Sequence, residues 1–313
     1  MLTWLGKTKS EHYSMFSIRK RNGQARRIHN PDAYLRLVQY RLLRNLLDKV
    51  PIPDYIYAFE AQRSIPDMSK RHTNKRVVVS VDIKDYFHSI TQRMVESLMI
   101  RIGLGASAAR TVSEICTYKA YVPQGALTSP KLSNLVTALT FGPEIKEFCD
   151  KNGFTLTVYA DDLTLSSESP TAPVREALIF ITTVLAKYGF RVNRSKTKVM
   201  TRKTRQYVCG VVVNDKPNLV KKERQRLRAI VHNIGKNGLE HEAAKNDLTP
   251  DEFFNRIMGK VNWFEQLNPE LGGRLKQLLR QYKGLPDEEG EVGREADPVV
   301  RLLPETTGLE MVA

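Results

Sequence analysis

Residues 154–166 read Phe-Thr-Leu-Thr-Val-Tyr-Ala-Asp-Asp-Leu-Thr-Leu-Ser. Apolar and polar side chains alternate on both sides of a short break, and that period of two predicts two strands joined as a hairpin. Two adjacent acids, Asp161 and Asp162, stand at its tip. Upstream, Lys75-Arg-Val-Val-Val-Ser-Val-Asp82 is a β-branched run of the kind that fills a buried central strand, and it also ends in a carboxylate. If the two elements are neighbours in one sheet, Asp82, Asp161 and Asp162 converge.

Helical periodicity surrounds these strands, around 92–118, 129–150 and 173–188. Leu35, Val38, Leu42, Leu43, Leu46 and Leu47 mark a helix over 35–50 that Pro51 and Pro53 stop. Residues 16–29 predict two short strands turned at Asn22-Gly23, since Asn-Gly readily takes the positive φ of a tight hairpin, with basic side chains along both. From Lys221 onward the pattern is helical, over 221–234, about 250–267 and 272–282. The expected fold class is α+β, with a small sheet carrying helices on one face.

The 313 residues suffice for one catalytic unit of two or three lobes. Lys plus Arg number 49 against 34 Asp plus Glu, and the net +15 favours polyanionic partners, nucleic acid first. Residues 284–313 carry a net −6, so residues 1–283 carry +21. Phosphate would repel that Pro/Gly-punctuated acidic tail, which reads as an exposed appendage. Lys221, Lys222, Arg224, Arg226 and Arg228 fall within eight positions, opposed only by Glu223, and both a nucleic-acid surface and a solvated helix face fit them. Cys116, Cys149 and Cys209 are widely spaced, which suggests ordinary thiols in a reducing compartment. No apolar run approaches the roughly 20 residues of a membrane span, and the first residues lack the apolar core of a signal peptide, so a cytosolic protein without a membrane partner is expected.

Carboxylates gathered at one spot suit phosphodiester synthesis, in which two divalent ions about 3.5–4 Å apart stabilise the attacking and leaving oxygens. Such hard cations prefer carboxylate oxygen.

Tyr159-Ala-Asp-Asp162 resembles the signature of reverse transcriptases, and Val81-Asp82-Ile-Lys-Asp85-Tyr-Phe87 resembles their first carboxylate motif. Between them, Pro123-Gln-Gly-Ala-Leu-Thr-Ser-Pro130 is similar to the segment that frames nucleotide and template in bacterial enzymes. With all three in order, the chain resembles that family over roughly residues 16–283. The resemblance implies a right-hand polymerase, with fingers at 1–76 and part of 88–125, palm at 77–215, helical thumb at 216–283 and the acidic tail at 284–313.

It also implies roles. Asp82 and Asp161 would ligate two magnesium ions directly, Asp162 would complete the cluster, and the carbonyl of Ile83 would be a further ligand. Lys196, in Asn193-Arg-Ser-Lys-Thr197, would protonate the leaving pyrophosphate, although Lys198 stands close by. Arg19 and Arg26 would clamp the triphosphate through planar guanidinium groups. Gln124 would contact the incoming nucleotide, and Asp85 and Gly125 belong to the same substrate-binding motifs. Phe87 would be either a steric gate under the sugar or simply a core aromatic. Tyr207, Cys209 and Gly210 fall where a primer-gripping turn is expected. Lys221, Lys222, Arg224, Arg226 and Arg228 would bind RNA. Met258–Pro269 resembles the thumb of retron and group II intron enzymes, and its Trp263 fits core and nucleic-acid contact equally.

Length and arrangement resemble the bacterial retron branch, as does Tyr57-Ala-Phe-Glu-Ala-Gln-Arg-Ser-Ile65, where Gln62 replaces a usual glycine. Met68-Ser-Lys-Arg-His72 keeps only the histidine of the usual Asn-Ala-x-x-His, and Val208-Cys-Gly210 replaces Val-Thr-Gly. Both segments are associated with recognition of the cognate RNA. Retron membership implies a cognate structured non-coding RNA, priming from an internal guanosine 2′-hydroxyl, and use of deoxynucleoside triphosphates to make a short single-stranded cDNA. It further implies template removal by a host RNase H, an anti-phage role beside an effector or toxin protein, and room for a higher-order assembly. The alternatives are a group II intron-like or abortive-infection reverse transcriptase, or a non-catalytic RNA-binding scaffold.

Overall fold

The computed structural model describes residues 2–19, 23 and 25–285; Asn22 of the expected hairpin turn and the acidic residues beyond Leu285 lie outside them. The strands are β1 (Tyr13–Arg19), β2 (Ala25–Pro31), β3 (Val77–Asp82), β4 (Thr155–Tyr159), β5 (Asp162–Ser167), β6 (Lys198–Thr201), β7 (Tyr207–Val208) and β8 (Val211–Val212). The helices are α1 (Leu2–Thr8), α2 (Ala33–Asn45), α3 (Ile65–Lys70), α4 (Tyr86–Ser89), α5 (Gln92–Arg101), α6 (Ala106–Cys116), α7 (Ser129–Leu139), α8 (Phe141–Lys151), α9 (Val174–Lys187), α10 (Lys221–Asn237), α11 (Leu239–Ala244), α12 (Pro250–Leu267) and α13 (Pro269–Tyr282).

The central sheet is four-stranded and antiparallel, in the order β4-β5-β3-β6. The valine run is an interior strand, as its β-branched composition requires. Val79 and Val81 of β3 pack with Leu163 and Leu165 of β5 and Leu156 and Val158 of β4 into one core. Leu132, Leu135 and Val136 of α7, Phe141 and Ile145 of α8, and Ile181 and Leu185 of α9 cover it, which is the expected α+β layering. Alternation sends the next residues to the opposite face: Ser80 and Asp82, with their register partners Thr164 and Asp162. Towards Asp82 that face is polar, while Val78 and its partner Met200 stand on it further back.

The span 92–118 holds two helices because Gly103, with φ +103°, breaks it. The span 129–150 likewise divides, at Thr140. β1 and β2 pair antiparallel as a separate two-stranded sheet, with Gly23 at φ +83° in the turn.

Contacts divide the chain into two compact units. One runs up to Arg224 with Gln266–Asn268, and the other comprises 225–265 and the residues from Pro269 onward. The second is helical, built on Leu227, Val231, Ile234, Phe253, Phe254, Ile257, Val261, Phe264, Leu275 and Leu279, all buried. A Cβ on Gly235 would lie 2.5 Å from the Tyr282 ring, so glycine there allows α10 and α13 their close approach.

Candidate active site

The register of the central sheet assembles the site. β3 and β5 pair with Asp82 opposite Asp162, while β5 and β4 pair with Asp162 opposite Tyr159. The hairpin turn is therefore Ala160-Asp161, with Ala160 at φ +53°, and Asp162 is the first residue of β5. The backbone N–H of Ile83 donates to the Asp161 carbonyl at 2.7 Å, tying the turn to the end of β3. Ser80 Oγ donates to Asp162 Oδ1 at 2.9 Å.

The charge of Asp82 opposes ionisation of both Asp161 and Asp162. Burial pushes the Asp162 carboxyl up to about 6, the charges of Asp161 and Asp82 add to the rise, and the Ser80 hydrogen bond opposes it. Burial also raises Asp161, with Asp82 adding and Lys196 and Arg26 opposing. The nearby cations offset only part of a rise that burial begins.

Lys196 is placed by backbone bonds. The N–H of Lys84 donates to the Arg191 carbonyl at 2.8 Å, and that of Asn193 to the Asp82 carbonyl at 2.7 Å, laying 191–193 along the end of β3. A turn follows, with the Lys196 N–H bonded to the Asn193 carbonyl at 3.1 Å. It presents Lys196 Nζ to Asp82 Oδ2 at 2.8 Å, and this hydrogen bond is the first cause holding the ammonium above its ordinary pKa. Lys198, on β6, instead donates to the Tyr207 hydroxyl and stands 4.8 Å over that ring.

The other expected site residues gather unevenly. Arg26 is the hairpin arginine whose charge reaches Asp161. Arg19 pairs with Ala25 in register, so alternation puts it on the opposite face of the hairpin from Arg26. Asp85 is exposed, with φ +48°, and opens α4. Phe87, in α4, is half-buried and packs on the main core. Its neighbour Tyr86 is buried and donates to the Ser133 carbonyl at 2.7 Å.

The Gln124 carbonyl accepts from the His29 N–H at 2.8 Å. Gly125 has φ +115°, and a Cβ there would lie 2.6 Å from the His29 carbonyl oxygen, so the position requires glycine twice over.

Cys209 and Gly210 form the two-residue turn between β7 and β8, with φ +47° and +84°. Burial pushes the Cys209 thiol up to about 12, with the charges of Asp162 and Asp161 adding. On α10, Lys221, Lys222, Arg226 and Arg228 are exposed and Arg224 is half-buried. Arg205, Lys216, Lys221 and Arg224 line one cavity of about 460 Å³ together with Asn214 and Asn218.

Among the described residues, no three His, Cys, Asp or Glu side chains stand ready-arranged to hold a metal ion. Asp82 and Asp162 each turn one oxygen to an internal donor, Lys196 and Ser80. In donor chemistry the set nevertheless suits a hard divalent cation, since its candidate donors are all oxygen and a cation there would favour the charged form that burial disfavours in Asp161 and Asp162.

The family profile described as reverse transcriptase (RNA-dependent DNA polymerase) matches residues 18–234. The chain belongs to the reverse transcriptases. Within them it is of the retron type. It is 34% identical over 286 residues to the retron Mx65 reverse transcriptase of Myxococcus xanthus, covering 84% of this chain and 63% of that one. It is 30% identical over 230 residues to the retron Ec86 reverse transcriptase of Escherichia coli, covering 72% of this chain and 71% of that one. The chain thus spans about two thirds of the length of these curated relatives. Among solved structures, telomerase from Candida albicans superposes with a TM-score of 0.51 at 12% identity, over 86% of this chain and 63% of that one, a likeness of fold alone.

Several residues hold this reverse transcriptase's site in place through contacts that the sequence does not reveal. His72 is wholly buried, with Nδ1 2.7 Å from Ser166 Oγ on β5 and Nε2 2.7 Å from Thr157 Oγ1 on β4. The retron-like stretch 57–65 is fastened to α7, where Lys131 Nζ meets both Glu60 oxygens at 3.1 Å and Asn134 donates to the Ala58 carbonyl at 2.6 Å. Within that stretch Arg63 donates to the carbonyls of Ile52, Pro53 and Ile56. Paired charge in sequence does not announce such partners, because they lie about 70 residues apart.

Proposed function

We propose that this reverse transcriptase is a retron's RNA-directed DNA polymerase, copying part of a cognate structured RNA into short single-stranded DNA from deoxynucleoside triphosphates. The observation that carries the reading is the β3–β5 register, which sets Asp82 beside Asp162 and fastens Asp161 to Ile83. Asp82, Asp161, Asp162 and the Ile83 carbonyl would hold two magnesium ions, which supply Lewis-acid stabilisation of the attacking and leaving oxygens when bound.

The chain's own groups do the rest. Lys196, already on Asp82, is a proton donor within reach of a leaving pyrophosphate oxygen. Arg26 offers a guanidinium to the triphosphate from the hairpin side, as its pull on Asp161 indicates. Gln124 and Gly125 shape the nucleotide's edge of the pocket, and Phe87 underlies the sugar. Cys209 and Gly210 support the primer end, and the basic residues of α10 hold RNA. We extend the proposal to removal of the template by a host RNase H and to anti-phage action beside an effector, as the retron family implies.

Primer extension on an RNA template in magnesium tests it. Asp161→Asn should reduce incorporation by about a hundredfold or more while RNA binding persists, because one charged oxygen ligand is lost at a two-residue turn outside the packed core. Extension within about twofold of wild type would remove Asp161 from the chemistry. In the same assay, Phe87→Ala should raise the ratio of ribo- to deoxyribonucleotide incorporation; an unchanged ratio makes Phe87 a core residue only.

A further inference from the structure

Gln39, in the middle of α2, is fully buried. A buried primary amide must find partners for its two N–H donors and its carbonyl, or lose the hydration it had. Gln39 finds them on three separate elements. Its Nε2 donates to the Tyr13 hydroxyl on β1 at 2.9 Å and to the Ile115 carbonyl on α6 at 3.2 Å. Its Oε1 accepts the N–H of Leu127 at 3.3 Å, two residues beyond Gly125. Leu35, Ile115 and Leu5 form the apolar cluster alongside, with Tyr13 and Val38 packed on it.

The β1–β2 hairpin is held at its base, where the rings of Tyr13 and His29 also pack on Tyr118 and Arg36 donates to Asn30, and by little beyond it. From Ser14 to Arg19, β1 is exposed throughout, and of β2 only His29 and Pro31 at the base are buried. A lone two-stranded ribbon is marginal in water, so its placement comes from its base. Three residues near the base connect to the 123–128 loop: Tyr13 through Gln39, His29 through its N–H on the Gln124 carbonyl and its own carbonyl against Gly125, and Ile28 through its side chain against Gly125.

From this we infer that Gln39 is a positioning residue that joins the basic hairpin and the Gln124–Leu127 loop into one body, so that the arm bearing Arg26 and the loop bearing Gln124 meet the incoming nucleotide together. The inference rests on the nucleotide role proposed above for those two residues. Gln39 itself touches no substrate. It acts by fixing the distance between two groups that do.

The test uses the full chain with Gln39→Leu, which keeps the volume and removes all three bonds. By hydrogen exchange of the protein alone, amides in 13–19, 25–31 and 124–128 should exchange about tenfold faster or more, as a group, while those of β3–β5 keep their wild-type rates. In primer extension, KM for deoxynucleotide should rise about tenfold with kcat within about threefold, because misplacement of binding groups weakens nucleotide capture. A merely structural loss would lower the active fraction, and so kcat, at unchanged KM. Tyr13→Phe cuts only the hairpin leg and serves if Gln39→Leu folds poorly: the hairpin alone should loosen, KM should rise less, and in the double variant the effects should not add. Faster exchange confined to α2 and α6, lost kcat at wild-type KM, or additive effects would each overturn the inference. Should the wild type incorporate no nucleotide, the polymerase reading fails, and the exchange measurement still decides the coupling.

Discussion

His72 makes the hairpin that carries Asp161 and Asp162 dependent on pH. Its ring is wholly buried between Ser166 and Thr157, with both ring nitrogens 2.7 Å from a hydroxyl, an arrangement that neutral imidazole satisfies by donating from one nitrogen and accepting at the other. Burial lowers its pKa from 6.5 to about 3, and the charges of Lys75 and Arg71 add to the fall. The unfolded chain therefore binds a proton that the folded one refuses. Stability from this group is complete above pH 6.5 and is lost as pH falls towards 3. Linkage puts the loss at about 2 kcal/mol by pH 5 and about 5 kcal/mol over the whole window. His72→Leu should behave oppositely. At pH 7.5 it leaves two buried hydroxyls short of a partner and is less stable by about 2–4 kcal/mol, yet it has no proton to take up. Urea unfolding of both proteins at pH 7.5 and pH 5, followed by circular dichroism, should show the gap between them shrink by about 2 kcal/mol at the lower pH. A gap of constant size would mean that His72 is not held neutral, and the reasoning would fail.

Gly125→Ala should reduce kcat/KM for deoxynucleotide by about tenfold or more, since a Cβ at φ +115° meets the His29 carbonyl at 2.6 Å; wild-type steady-state kinetics would refute it. Gln62 is exposed and sits at φ +61°, so Gln62→Gly should raise the urea midpoint by an amount worth about 1 kcal/mol, and a fall would show that the side chain contributes more than its strain. Neutralising Lys221, Lys222 and Arg224 together should weaken binding of structured RNA and flatten its salt dependence by up to about 0.9 per lost phosphate contact, while extension of a preformed generic primer–template suffers less. Filter binding across salt concentrations checks this, and an unmoved slope would leave these residues a solvated helix face.

Much of the fold was legible because the deciding stretches obey one local rule each. Val77–Val81 is β-branched and interior, 154–166 alternates around a two-residue turn, and residues 221–234 repeat with a helical period. Boundaries were less legible where a backbone conformation, not a side-chain pattern, ends an element, as at Gly103 and Thr140. β6, β7 and β8 escaped notice for a different reason. Two to four residues show no period, and these strands exist because β3 and a tight turn supply their partners.

The carboxylates were legible for a reason that the hidden residues reverse. Asp82 ends a valine-rich strand and Asp162 opens one that alternates leucine with small polar residues, so charge enters the sequence just where each pattern stops. Gln39 and Lys131 break no pattern that a reader can weigh, and the segments holding Glu60 and His72 stand out in sequence by resemblance alone, without showing what those two side chains touch. Their meaning lies in partners distant along the chain: Leu127 for Gln39, Ser166 for His72, Lys131 for Glu60. The same distinction separates Gln62 from Cys209. Both occupy left-handed backbone where a small residue is favoured, but Gln62 faces solvent, whereas Cys209 is raised by burial and by the charges of Asp161 and Asp162. A departure from the family's pattern at Gln62 is thus a matter of backbone strain. At Cys209 it falls on a buried turn that the charges of Asp161 and Asp162 reach.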